Sequence, residues 1–301
     1  MTALVSVVIP TYNHASLLGR ALQSVLDQTY PHWEALVVDN HSDDNTDEIV
    51  NAIRDPRIRL LKIHNHGVIA ASRNLGIREA RGEWIAFLDS DDCWYPRKLE
   101  RLMGVAASDA YDVLSNDELM VDLLSGMKKI LRYGPYEEDF YRTLLLNGNR
   151  LSTSATVVRR EYLVRHGLAF DESQSYVTVE DYGLWLDLAR TGASFSFINE
   201  VLGEYVVHGA NHSGQLSRHL QNGVALLHDH IFTVQQFEPN PERLWRAVLP
   251  RLRIGEIRQL AAGGGYAAAV KVGLGLLVNS PGATARYLSS KLGSYLKKRS
   301  P

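Results

Sequence analysis

Cysteine is almost missing: Cys93 stands alone among 301 residues. That excludes an internal disulfide framework and fits a reducing compartment. An excess of either charge is missing too. The chain sets 32 Lys and Arg against 34 Asp and Glu, a net charge of −2, so no global field points to nucleic acid. No uncharged apolar run reaches the roughly 20 residues that span a bilayer. The opening Met1-Thr2-Ala3-Leu4-Val5-Ser6 puts no basic stretch ahead of an apolar one, so no secretory leader is expected. The expected location is the cytoplasm, or the cytoplasmic face of a membrane. No internal repeat or low-complexity tract breaks the chain. No G-x-G-x-x-G follows the first apolar run, which argues against a Rossmann dehydrogenase.

What is present is alternation. Val5-Ser6-Val7-Val8-Ile9 is a β-branched run, followed by helical spacing at Leu18, Ala21, Leu22, Val25 and Leu26. Residues 35–38 and 58–63 read as strands, with helices over 46–53 and 70–80. Trp84-Ile85-Ala86-Phe87-Leu88 is a further strand. Strand–helix alternation predicts an α/β fold with a mostly parallel sheet in the N-terminal half. Ligands bind beyond the carboxyl ends of such strands. Here those ends carry Pro10-Thr11-Tyr12, Asp39-Asn40 and Asp89-Ser90-Asp91-Asp92. Later, 113–115 and 118–123 read as separate strands, 127–131 as a hairpin partner, and 179–190 as a helix stopped by Gly192. Residues 194–198 and 203–207 again look extended. From about 216 the chain turns helical. The expected division is one α/β domain over 1–215, in two halves that meet at about 110. A helical C-terminal region follows over 216–301.

Three carboxylates within four residues at a strand end repel one another. A hard divalent cation such as Mn²⁺ or Mg²⁺, held by carboxylates and substrate phosphates, relieves that repulsion. A helix cap ahead of Pro96 and Leu99 is the competing reading.

The surrounding motifs bear on that choice. Residues 5–13, 21–30 and 36–44 resemble successive segments of the family 2 glycosyltransferases. So do Ala71-Ser72-Arg73-Asn74-Leu75-Gly76, the DXD region 87–92, Glu180-Asp181 with Trp185, and Tyr205-Val206-Val207-His208 followed by Asn211 and Ser213. The order of these motifs, over roughly 4–215, is specific where each alone is weak. The resemblance implies a GT-A fold: a doubly wound mixed sheet with a helical C-terminal appendage. It implies that 1–215 is the catalytic domain, with a nucleotide-binding half to about 110 and an acceptor half over 111–215. It implies an inverting transfer of sugar from a nucleoside diphosphate, UDP favoured, to a glycan or lipid-linked acceptor, in surface polysaccharide or other glycan synthesis.

The resemblance also assigns residues. Pro10, Thr11, Tyr12 and Asp39 belong to the nucleotide pocket. Arg73, Asp89 and Ser90 belong beside the diphosphate and ribose. Asp91 is the metal ligand, joined by His208 and supported by Asp89. Asp181 is the base. Glu180, Trp185 and Asp92 fall on the acceptor side, with packing the alternative for Trp185 and helix capping for Asp92. Two other classes stay open. A sugar nucleotidyltransferase is disfavoured because Thr11-Tyr12-Asn13-His14 lacks that class's Gly-rich basic loop. A non-catalytic sugar-nucleotide-binding protein is disfavoured by the retained Asp89, Asp91 and Asp181. The C-terminal helices are expected to pack on the catalytic domain, to form a homodimer, or to make a peripheral membrane contact through the basic stretch 286–299.

Overall fold

The computed structural model describes residues 3–208, 216–262 and 264–297. The chain divides into two compact units. The first is Met1–Tyr141 with Asn149–Gly214; the second is Arg142–Gly148 with Gln215–Pro301.

The first unit is built on one mixed sheet. Strand β1 (Val5–Thr11) and strand β2 (Trp33–Asp39) are buried at every residue. Strands covered on both faces read as continuous apolar runs. Strand β1 pairs in parallel with β2 and with β4 (Trp84–Phe87), and β2 pairs in parallel with β3 (Ile58–Lys62). Their connections carry helices α1 (Ala15–Leu26), α2 (Thr46–Ala52) and α3 (Ile69–Glu79). Val5, Val7 and Ile9 share a core with Leu18, Leu22 and Val25 of α1. Val8 points the opposite way, as alternation requires. There a Cβ at Gly76 of α3 would lie 2.3 Å from Val8 Cγ1, so α3 can approach only as glycine.

Beyond β4 the sheet turns mixed. Strand β8 (Thr156–Arg159) runs antiparallel to β4 and to β6 (Val113–Asp122). Strand β9 (Phe195–Val207) is parallel to β6. The hairpin strand β7 (Lys128–Leu131) and the short β5 (Cys93–Trp94) complete it. Strand order is β3-β2-β1-β4-β8-β6-β9-β5. Two expectations change here. The pieces predicted at 113–115 and 118–123 are one strand, and so are 194–198 and 203–207. Ser115, Asn116, Asp117 and Glu118 interrupt the apolar pattern, yet all four are buried inside β6, where the β6–β9 register shifts. Helices α4 (Lys98–Ala106), α6 (Arg160–His166) and α7 (Glu180–Arg190) flank the sheet.

The second unit is helical: α5 (Phe140–Asn147, mostly in this unit), α8 (Leu216–Asp229), a π-helical turn (His230–Val234), α9 (Pro241–Ala262), α10 (Tyr266–Asn279) and α11 (Pro281–Lys297). Leu226, Leu227, Ile231, Leu244 and Val248 are its buried centre. Among the described residues no helix is long and apolar enough to cross a membrane.

Candidate active site

The carboxyl ends of β1, β2 and β4 are tied to one another by their loops. Asn13 and His41 take left-handed backbone (φ 52° each), a conformation that short polar side chains tolerate. Asn13 N–H donates to Ser42 Oγ at 2.8 Å, and Asp43 N–H donates to Asn13 Oδ1 at 2.8 Å. Asp44 accepts from Ala15 N–H, opening α1, and from Thr46 N–H, opening α2. One carboxylate therefore caps two helices.

Within that frame Pro10 and Thr11 are buried, and Thr11 Oγ1 has no hydrogen-bond partner. Tyr12, just past them, is 50% exposed. Asp39 is fully buried and accepts from Ser42 N–H, Ser42 O–H (2.5 Å) and Lys62 Nζ (2.7 Å). Its carboxylate is thus held in one orientation at the end of β2.

The acidic loop splits by direction. Asp89 N–H donates to Ser154 Oγ at 3.0 Å. The Asp89 carboxylate, partly exposed, accepts from Arg73 at 2.7 Å. Ser90 Oγ lies 3.1 Å from His14 Nδ1. Asp91 Oδ2 lies 2.9 Å from His208 Nε2, so the two proposed metal ligands meet although 117 positions apart. Burial, with the negative charge of Asp89 behind it, pushes the Asp91 carboxyl above its ordinary range against the hydrogen bond of His208. Asp92 turns inward. It accepts Ser154 O–H at 2.5 Å and Val206 N–H at 2.8 Å. Ser154 thereby clasps Asp89 and Asp92 together, and Asp92 fixes β9 two residues before His208. Among the described residues no three of His, Cys, Asp and Glu converge as a metal cluster. Asn211 and Ser213 lie outside the described residues.

Arg73 is held by the protein on two sides. It is 3% exposed, and its guanidinium donates to Asp89 Oδ1 and Glu180 Oε1, each at 2.7 Å. Held between two protein carboxylates, it braces the DXD loop against α7. Glu180 is likewise buried in this pair and does not face an acceptor. Trp185 is fully buried, its ring 6.3 Å from those of both Phe87 and Phe170, so it packs. Asp92 neither faces an acceptor nor caps a helix, since both its oxygens are taken inside the core.

Asp181 follows Glu180 at the start of α7. Asn149 Nδ2 donates to it at 3.1 Å and Tyr182 N–H at 2.7 Å. Its carboxyl keeps some open surface but is surrounded by protein. Burial, then the Glu180 charge, pushes it up to about 7 against the pull of Arg73. A carboxylate titrating near neutrality suits a general base.

The structure adds residues the motifs did not name. Lys98 looks like a surface lysine in sequence, yet it is fully buried. Its Nζ donates to Asn116 Oδ1 (2.5 Å) and Ser154 O (2.9 Å) and lies 4.9 Å from the Trp94 ring. Burial pulls it down to about 7 against the attraction of Glu118 and Asp92. Glu118, also fully buried, accepts Tyr133 O–H at 2.8 Å. The only sequence trace of this network was the polar run inside β6.

Residues 6–166 match the model of Glycosyl transferase family 2. The chain is 32% identical over 187 residues to an Escherichia coli protein named UDP-Glc:alpha-D-GlcNAc-diphosphoundecaprenol beta-1,3-glucosyltransferase, WfgD, covering 62% of this chain and 70% of that one. It is 28% identical over 211 residues to the putative teichuronic acid biosynthesis glycosyltransferase TuaG of Bacillus subtilis, with 67% and 78% covered. Among solved structures, S. aureus TarS 1-349 in complex with UDP-GlcNAc superposes with a TM-score of 0.60 at 18% identity, covering 95% of this chain and 92% of that one. The mannosyltransferase PcManGT from Pyrobaculum calidifontis, in complex with GDP-Man and Mn²⁺, gives 0.60 at 21%, covering 100% and 89%. At these identities the structures speak to the fold, a GT-A-like mixed sheet; the matched family model speaks to the activity, transfer of sugar from a nucleoside-diphosphate donor. The chain belongs to glycosyltransferase family 2.

Proposed function

We propose that this chain is an inverting, metal-dependent transferase that takes a UDP-sugar and glycosylates a lipid-linked or other glycan acceptor. The observation that carries this reading is the bridge Asp89–Arg73–Glu180, which seats a carboxyl of pKa about 7, Asp181, across from the acidic loop. The reading places catalysis in the first unit.

Each residue has a share in the step. Tyr12, open to solvent, offers a ring face for the base, and the fixed Asp39 carboxylate offers acceptors to base or ribose N–H and O–H groups. Thr11 Oγ1, buried and unpartnered, fits a polar ligand at that strand end. Asp181 takes the proton of the acceptor hydroxyl as its oxygen attacks the anomeric carbon and the bond to the diphosphate breaks on the opposite face. That single displacement inverts the centre. Arg73 neutralises Glu180, so one of two adjacent acids stays paired and the other is left to titrate.

The donor set fits a divalent ion. Asp91 would supply oxygen and His208 imidazole nitrogen, with Asp89 supporting the loop and donor phosphate oxygens adding to the pair, a mixture suited to Mn²⁺ and compatible with Mg²⁺. Bound there, such an ion supplies charge neutralisation for the departing diphosphate.

The names of relatives support the finer choices. WfgD is named for UDP-Glc and a diphosphoundecaprenol-linked acceptor, and TarS was solved with UDP-GlcNAc. The mannosyltransferase with GDP-Man keeps GDP-sugars as the rival donor class. A thermal-shift screen of UDP, GDP and dTDP, each with and without Mn²⁺, tests the proposal, since a tight ligand raises apparent stability. The largest Mn²⁺-dependent shift is expected with UDP. Metal-dependent release of UDP from a UDP-sugar with a lipid-linked acceptor is the second expected result. Tight binding without turnover across acceptors would favour a non-catalytic sugar-nucleotide-binding protein instead.

A further inference from the structure

Helix α10 wears its apolar side outward. Ala269 and Leu276 are its buried residues, while Tyr266, Val270, Leu274, Leu277 and Val278 are 68%, 61%, 60%, 55% and 78% exposed. At 100° per residue these five fall on one arc. Lys271 is the only charged residue of α10 and sits at the edge of that arc. An ordinary surface helix presents the reverse pattern. Leu288, 52% exposed on α11, adds to the apolar surface of this unit. Contiguous apolar surface of this kind marks an interaction site.

Charge says what covers it. From Ile257 to Pro301 the sequence has no Asp and no Glu, but seven Arg and Lys. A second copy of this chain would bring seven like charges against the same seven, which opposes self-association. An anionic surface is attracted instead. The helix itself is too short to cross a bilayer: 14 residues rise about 21 Å, against a hydrocarbon core of about 30 Å. A helix that cannot span, apolar outward and embedded in a wholly basic segment, has the make-up of one lying in a lipid interface.

We propose that the outward face of α10 docks on an anionic lipid bilayer, with Tyr266, Val270, Leu274, Leu277 and Val278 entering the interface and Lys271 at its edge meeting the headgroups. The proposal stands apart from the catalytic reading, because vesicle binding needs neither donor nor acceptor.

The test is flotation of the full chain with phosphatidylcholine vesicles and with vesicles of phosphatidylcholine and phosphatidylglycerol. The wild type should float with the anionic vesicles and far less with the neutral ones. Leu274→Glu with Leu277→Glu should lower that partition by at least roughly tenfold, as expected for two leucines kept out of an apolar phase. Val270→Ser with Val278→Ser is the milder pair and should lower it by a smaller factor. Both pairs change exposed positions, and their thermal midpoints, read in parallel, should match the wild type. Lys271→Gln, or high salt, should weaken binding only a few-fold. Wild type that fails to float, or glutamate variants that float as well as wild type, would overturn the proposal. So would sedimentation equilibrium showing a dimer that the glutamate pair dissociates while vesicle binding is unchanged. In that case the face belongs between two copies.

Discussion

In the first unit, Lys98, Glu118 and Asp92 lie wholly inside the protein. In the second, Val270, Leu274, Leu277 and Val278 lie mostly outside it. The usual distribution of polar and apolar side chains is inverted in both places, for different reasons. The buried charges of the first unit have partners: Tyr133 on Glu118, Ser154 on Asp92, and Asn116 and a backbone carbonyl on Lys98. Their cost is offset locally, and they lock the floor beneath the acidic loop. The exposed side chains of α10 point away from the buried side of their own helix. What is already satisfied serves rigidity, and what is left uncovered serves encounter.

That contrast can be broken first at Asp181. Asp181→Asn keeps the shape and removes the base. Transfer should fall by roughly 10²- to 10⁴-fold, while UDP still shifts the melting curve; transfer at the original rate would sink the base assignment. Next comes Lys98→Met, which strands two buried acids. A loss of about 3–5 kcal/mol in urea unfolding is expected, the cost of breaking a buried ionic group from one side. Adding Glu118→Gln and Asp92→Asn to Lys98→Met should return much of that loss, and a triple variant no better than the single would show that the network is not energetically coupled. Arg73→Lys should fall below these in stability terms. A compact ammonium cannot reproduce the fork that spans Asp89 and Glu180, so kcat should drop about tenfold or more with a smaller change in donor binding.

A pH profile sharpens the same point. Asp181 must be ionised to accept a proton, and its carboxyl is raised to about 7. The rate should therefore climb with pH up to about 7 and level off above it; a profile flat from pH 5.5 to 8.5 would exclude Asp181. The smallest effect belongs to the second unit. Leu274→Glu should change unfolding free energy by no more than about 0.5 kcal/mol, as for a surface position, although the same exchange at Leu22 in the core would be severe.

Much of the first unit was legible in sequence because β1 to β4 obey simple periodicities, and their polar ends announce themselves by interrupting apolar runs. The Asp91–His208 meeting was legible only through motif order, since no local pattern joins residues so far apart. Strand β6 reads as two pieces because the buried polar residues 115–118 look like a turn until their partners are known, and β9 because Asn199 and Glu200 interrupt its apolar pattern. Lys98 was invisible for the same reason: a lysine in a helix reads as solvated unless the tertiary structure closes over it. Arg73 was legible as a site residue but its partners were not, as its helix gives position and only the fold gives Asp89 and Glu180. The outward face of α10 escaped because a helix apolar all round carries little directional signal.

The clasp at Ser154 joins three stretches of chain that lie far apart: Asp89 is 65 residues from Ser154, Asp92 is 62, and Asp92 is 114 from Val206. These few bonds index the acidic loop to strand β9 and to the turn that leads into β8. Turns between those anchor points that carry none of the bracing residues Lys98, Glu118 and Glu180 are therefore released from the duty of positioning the acids. The β6–β7 turn over 123–127, for example, can lengthen, shorten or be exchanged while the acids keep their spacing. The fold thereby makes the spacing of the acids independent of the length of such turns.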